Sequence, residues 1–202
     1  MMKLYYSPGA CSMASHIILH ESGLPFTALP VNLATHTLED GTDYYHIHAA
    51  GQVPLLELEN GARLSEGVAI LQYLADQAPA KALAPENGTL GRYQLQEALN
   101  FISSELHKSF SPLFRPNTHE STQATARERL HTLFNRINQR LSTQPWFCGD
   151  SFSVADAYLF TVTRWAGYVG IDLTALNALN AYMARIAERP AVKATLAAEH
   201  RD

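Results

Sequence analysis

The sequence predicts an α/β unit with a mixed sheet, about residues 1–80, followed by an all-helical unit, about 88–202. Three observations carry this reading. Through about residue 60, short strand-like runs alternate with helical spacing. Two strand runs flank Asn60-Gly61, a pair suited to a tight turn, and a helical segment follows them. Beyond the proline- and alanine-rich "APAKALAPENG" (78–88), which has linker composition, every periodic segment is helical.

In order along the chain, "KLYY" (Lys3–Tyr6) reads as a strand. "SMASHIILHESG" has the spacing of a helix, with Gly23 as its stop. "FTALPVNL" reads as a second strand; proline cannot donate to a ladder, so Pro30 places this strand at a sheet edge. The stretch that follows has no clear period. "LLELENGARLS" is the hairpin, and "EGVAILQYLADQ" the amphipathic helix after it. The resulting order, β-α-β then β-β-α, belongs to an α/β architecture. In the second half four segments are helical: "GRYQLQEALNFISSELHKSF", "ATARERLHTLFNRINQRLS", "VADAYLFTVTRWAGYVG" and "LNALNAYMARIAERP". Ser153 is placed to cap the third of these, with Asp156 reaching back three residues later, as in a capping box, and Phe152 as an apolar staple.

The 202 residues are enough for one large domain or two small ones. A net charge of −4 gives no electrostatic case for binding nucleic acid or an acidic membrane. The first residues lack the pattern of a secretory signal, and no window is long and apolar enough to span a bilayer. Two cysteines are too few for a disulfide framework or a zinc site, so no metal is expected, and reduced thiols in the cytoplasm are.

Cys11 lies between Pro8-Gly9-Ala10 and the first helix. Unpaired amides and positive potential at a helix N-terminus favour thiolate, and that placement makes a cysteine reactive. The alternative at this position is a small hydrophobe under the helix. Ala14 occupies the position of a resolving cysteine, so a reactive Cys11 needs a thiol from outside. Tyr6, at the end of the first strand, can bring its hydroxyl to the same region. Pro54 precedes a strand; a cis Val53-Pro54 bond would turn the Val53 backbone toward an extended ligand, and the plain alternative is a proline at a strand's first residue. Ser65 reads as an N-cap with Glu66 and Gly67 in the first turn. That is either an ordinary cap or a site for a carboxylate and an adjacent ammonium. On the next helix Leu95, Leu99, Ile102 and Leu106 share one face, with Asn100, Ser104, His107 and Lys108 roughly opposite. Such a polar face meets water, or forms a wall of a cleft between the two units if they dock. His107 could there hydrogen-bond a sulfur or move a proton near pH 7.

Together "KLYYSPGACSMASH", "GQVPLLEL", "SEGVAILQYLAD", "RYQLQEALNFISSELHKSFSPLFRP" and "FSVADAYLFTVTRW" resemble the glutathione transferases, and among them the bacterial beta class. The resemblance runs over nearly the whole chain. It implies a thioredoxin-like N-terminal domain, an all-α C-terminal domain and a homodimer. It further implies that Cys11 meets the glutathione sulfur, with Ala10 lining the approach, and that Val53, held by a cis Pro54 and preceded by Gln52, pairs with the cysteinyl backbone. Ser65, Glu66 and Gly67 correspond to the clamp on the γ-glutamyl end. Asn100, Ser104, Glu105 and His107 correspond to ligand-facing positions, His107 nearest the sulfur, and Tyr6 to a nearby tyrosine that is not the main activator. Lys108 corresponds to a residue beside the substrate pocket, with Phe110, Phe114, Arg115, Trp165 and Tyr168 as candidate lining. Two departures stand out: His36 replaces a lysine that meets the glycyl carboxylate, and Ala50 replaces another lysine.

The expected activity is transfer of glutathione to hydrophobic electrophiles, or thiol-disulfide or peroxide chemistry through Cys11. A cysteine able to bond glutathione covalently favours the second branch. The competing class is a non-enzymatic carrier or interaction protein of the same family.

Overall fold

The computed structural model describes residues 1–200. The chain forms two compact units, Met1–Ala84 joined by the segment that begins at Arg189, and Pro85–Glu188.

In the first unit, β1 (Met2–Tyr6) leads through α1 (Ser12–Ser22) to β2 (Phe26–Asn32), which lies parallel to β1. β3 (Thr37–Leu38), β4 (Leu55–Glu57) and β5 (Arg63–Leu64) are antiparallel to β2, β1 and β4 respectively. The sheet order is β3-β2-β1-β4-β5. The expected edge position of β2 is therefore corrected: β3 flanks it. β3 pairs only with Val31 and Asn32, however, so the ladder begins just past Pro30, where the missing N–H no longer matters. The hairpin at Asn60-Gly61 forms as read. Asn60 Oδ1 accepts from the Ala62 N–H at 3.0 Å, and Gly61 takes φ 81°, which glycine adopts without a Cβ penalty.

Period-two alternation splits β1 between two faces. Tyr5 packs with Val31, Tyr44 and Leu55 on one, and Tyr6 meets His16 of α1 on the other, ring centroids 5.0 Å apart. α1 ends as expected, with Gly23 at φ 70° and its N–H on Leu19 O. Ser12 through Leu19 are all buried, because α2 (Gly67–Gln77) covers one side of α1 and α8 (Pro190–Glu199) another. α8 is an element that the sequence reading did not separate, and it belongs with the first unit, not with the helical one.

The second unit begins with α3 (Leu90–Asn100), capped by Thr89, which accepts from the Arg92 N–H at 3.2 Å. It runs without a break into a π-helical stretch, Phe101–His107, and then α4 (Lys108–Phe114). α5 (Glu120–Leu141) packs on α4 and α7 (Asn177–Ala187), and α6 (Val154–Tyr168) on α3, the π-helical stretch and α7. α6 is buried on every side from Val154 to Thr163. Among the described residues no helix is long and apolar enough to cross a membrane.

Candidate active site

In the first unit the turn before α1 is tied at several points. The Ala10 N–H reaches Ser7 O at 3.1 Å, and the Ser12 hydroxyl accepts from the Ser7 N–H at 3.1 Å and lies 3.2 Å from its carbonyl. The Gly9 N–H donates to Glu199 Oε2 of α8 at 3.0 Å. Cys11 stands at the N-terminal cap position of α1, and its thiol donates to the Val53 carbonyl at 3.3 Å. The Val53-Pro54 bond is cis, as expected. Gly67 opens α2 against Pro54: a Cβ there would lie 3.7 Å from the proline ring.

Cys11, Val53, Pro54 and the start of α2 thus form one cluster, and its electrostatics correct the expectation of an acidic thiol. The Cys11 and Ser12 amides favour thiolate, but burial dominates, the Glu66 carboxylate adds to it, and the thiol is pushed up to about 11. The ligand-free cysteine is a hydrogen-bond donor.

One other expectation in this unit changes in detail. Ser65 is not the cap of α2. Glu66 holds that position at φ 54° with no side-chain cap bond, and Ser65 is an exposed residue before it. A left-handed conformation at a non-glycine residue is a form of strain that concentrates at binding sites. His36 also has positive φ (53°) and packs against Tyr45, ring centroids 4.5 Å apart and tilted by 32°, its Nδ1 buried without a partner. Gly51 is required beneath this pair, since a Cβ would come within 2.6 Å of Tyr45 and 2.8 Å of His36. Gln52 is exposed, and its carbonyl accepts from the Tyr44 hydroxyl at 2.9 Å. Tyr6 is buried against His16, and Ala10 is partly exposed.

In the second unit Leu95, Leu99, Ile102 and Leu106 are fully buried, and Asn100, Ser104 and Lys108 are exposed, as read. His107 is not on the exposed face. Over a π-helical stretch the bonds run i→i+5, which shifts side-chain phase, and His107 turns to α6. Its Nδ1 lies 2.7 Å from the Tyr158 hydroxyl, and its ring stands edge-on to Trp165 at 4.7 Å. Burial, helped by the Lys108 charge, pushes His107 down to about 4, so it is neutral near pH 7, correcting the expectation of a group that titrates there. Glu105 is ion-paired with Arg129 of α5. Hydroxyls satisfy carbonyls along the stretch: Ser104 donates to Asn100 O at 2.8 Å and Ser109 to Glu105 O at 2.6 Å. Of the proposed pocket lining, Phe110 is corrected to core, fully buried among Phe114, Phe134 and Trp165; Trp165 is buried too, at 6% exposure. Phe114, Arg115 and Tyr168 are exposed.

The sequence reading missed two features. His16, which no spacing in the sequence marks, is a buried partner of Glu199, Nδ1 to Oε1 at 2.9 Å. Tyr158 lies 51 positions from His107, and nothing in its local context marks the pairing.

Comparison with known proteins places this geometry. Residues 9–77 match the model of the glutathione S-transferase N-terminal domain, and residues 101–190 that of the C-terminal domain. The chain is 50% identical over 198 residues to glutathione S-transferase GstA of Escherichia coli O157:H7, covering 98% of each. The chain belongs to the glutathione S-transferase family. Within that family it is similar to a sphingomonad glutathione S-transferase solved in complex with glutathione, at 47% identity and TM-score 0.95 over 98% of both chains. It is equally similar in fold to the beta-class glutathione S-transferase of Sphingomonas chungbukensis, at 46% identity and TM-score 0.95, again over 98% of both. The α/β first unit and helical second unit are those of a beta-class transferase.

Proposed function

We propose that this glutathione S-transferase binds glutathione through its first unit and conjugates it to hydrophobic electrophiles, with Cys11 as a hydrogen-bond donor to the sulfur. The observation that carries the reading is the Cys11 thiol, held 3.3 Å from the Val53 carbonyl beside a cis Pro54 and within the field of Glu66 at the start of α2. A peptide-like ligand pairing with the Val53 backbone takes over that contact, and the thiol turns to the ligand's sulfur. The α2 amides following Glu66 suit the γ-glutamyl carboxylate, and the Glu66 side chain suits its ammonium. Ser65, Gln52 and His36 complete the set from the first unit. In conjugation the thiolate pair of glutathione forms the new C–S bond and the leaving group departs with its own pair. Phe114, Arg115, Tyr168 and Lys108, exposed on the helical unit, are the electrophile contacts in this reading, with Phe110 and Trp165 behind them. A homodimer working in the cytoplasm completes it.

A thiol pushed up to about 11 favours conjugation over a Cys11 nucleophile, reversing the order in which the sequence ranked the two branches. Cys11→Ala separates them. Retained conjugation of an aromatic electrophile, with lost disulfide exchange, supports the donor role; loss of both makes Cys11 essential to each. Passage over immobilised glutathione at neutral pH and low salt tests the binding itself, and failure to be retained favours the carrier reading.

A further inference from the structure

Tyr44 is a tyrosine at a core position of the first unit. It is fully buried with Tyr5, Val31 and Leu55, its ring centroid 5.7 Å from that of Tyr5 and 6.2 Å from that of His48. A phenylalanine would fill the same space; the hydroxyl is there for a partner. It donates to the Gln52 carbonyl, eight residues on, at 2.9 Å. Burial, with Tyr5 adding to it, pushes the phenol well up, so it keeps its hydrogen and stays a donor. The backbone of Tyr44 is tied as well. Its N–H donates to His36 O at 2.8 Å, and its carbonyl accepts from the Ile47 and His48 N–H groups at 2.9 and 2.8 Å. Ring and backbone together give the hydroxyl a fixed place.

The bond to Gln52 O acts one residue further along. That oxygen and the Val53 N–H belong to one peptide group, which is trans and planar, so the two point in opposite directions. Holding the oxygen toward Tyr44 aims the Val53 N–H away from it. We propose that Tyr44 is a positioning residue for glutathione: its hydroxyl sets the plane of the Gln52–Val53 peptide, so that the Val53 N–H meets the carbonyl of the ligand's cysteinyl residue.

The assignment deepens the function proposed above and rests on the reading that the Val53 backbone pairs with a peptide-like ligand. Main-chain pairing of that kind supplies affinity for an extended peptide, and Tyr44 controls it through Gln52 without touching the ligand. The coupling runs both ways. A peptide carbonyl becomes a stronger acceptor when the N–H of the same peptide is engaged. Ligand binding therefore tightens the Tyr44–Gln52 bond by the same coupling through which Tyr44 tightens ligand binding.

Calorimetry on the full-length protein tests this with two ligands, S-methylglutathione and its analogue with a methylene in place of the cysteinyl carbonyl. Tyr44→Phe removes only the hydroxyl and closes a cycle with them. Each ligand is compared with itself across the two proteins, so the analogue's own change in charge cancels. Tyr44→Phe should weaken S-methylglutathione by about threefold to tenfold and leave the affinity for the analogue unchanged. In conjugation it should raise KM for glutathione by about the same factor at unchanged kcat, the pattern of binding lost equally from ground and transition states. Tyr44→p-aminophenylalanine, which puts an N–H donor back, should recover most of the loss. Equal weakening of both ligands by Tyr44→Phe overturns the inference, as does unchanged affinity for S-methylglutathione. If the unmodified protein binds the two ligands alike, the reading that Val53 pairs with the cysteinyl residue falls, and the inference with it. Should Tyr44→Phe fold poorly, proton NMR of the unmodified protein decides. The Tyr44 hydroxyl hydrogen should exchange more slowly with S-methylglutathione bound than with the analogue bound, and equal rates overturn the inference.

Discussion

At Cys11 the helix amides and the surrounding burial act on one sulfur in opposite directions, and magnitude decides between them. The Cys11 and Ser12 amides pull the thiol down, burial and Glu66 push it up, and the balance stands at about 11. In the ligand-free protein, alkylation of Cys11 should therefore be slow at pH 7. It should rise about tenfold per pH unit without a plateau until about pH 11. Mass spectrometry of the Cys11 peptide after timed iodoacetamide pulses measures this, and a plateau below pH 8 would refute it. The sign for stability follows: a thiol raised in the folded state stabilises it while neutral. That contribution is complete at neutral pH and is lost from about pH 8.5, where an unfolded thiol ionises, to about 11. The address of Cys11 is legible in "SPGAC", because a turn followed by a helix is a local pattern. Its ionisation is not, because the burial and the Glu66 charge that set it come from the packing around the sulfur and from residues some 50 positions away. The same limit hid the fate of Phe110 and Trp165, since aromatic spacing on a helix does not distinguish a residue that lines a surface from one that supports it.

The start of α6 carries a comparable concentration of contacts on one carboxylate. Asp156 accepts the Ser153 N–H at 2.8 Å, the Ser153 hydroxyl at 2.9 Å, the Phe147 N–H at 2.8 Å and the Tyr182 hydroxyl at 2.8 Å. Burial pushes Asp156 up while these four bonds pull it down. Asp156→Ala leaves buried donors from three segments unsatisfied and should cost about 3 kcal/mol or more. Ser153→Ala removes one arm of the cap and should cost about 1 kcal/mol. Urea unfolding separates the two, and equal costs would show that Asp156 acts as a helix cap and nothing else. Conjugation per folded molecule should be unchanged in either variant. This cap was legible because "SVAD" is a pattern of spacing. The N-terminus of α2 was misread by one residue, because a left-handed Glu66 runs against the propensity any sequence rule uses. The π-helical stretch was invisible for a related reason: an i→i+5 register leaves no compositional mark, so the apolar face of Leu95–Leu106 was legible while the direction of His107 was not.

On the scale of the whole chain, its last helix completes its first unit. Arg189 grips Glu21 of α1 with two bonds, 2.5 and 3.0 Å, Val192 and Thr195 are fully buried, and Glu199 holds His16 with one oxygen and the Gly9 N–H with the other. Sequence periodicity groups α8 with the helices that precede it, because periodicity carries no information about which distant element a helix covers. That grouping would make α8 dispensable to the turn that presents Cys11, whereas the structure makes Glu199 a direct tether of that turn. Glu199→Gln keeps the shape but removes the charge from a buried pair, and should cost about 2–4 kcal/mol in the first unit. The diagnostic readout is where the loss falls. Hydrogen exchange should accelerate at the amides of Gly9 through Ala14 and along α1, while protection in α5 stays as in the unmodified protein. Loss spread evenly over both units would mean that Glu199 contributes only to overall stability; loss confined to the Cys11 turn and α1 makes the end of the chain part of the scaffold for the chemistry at its beginning.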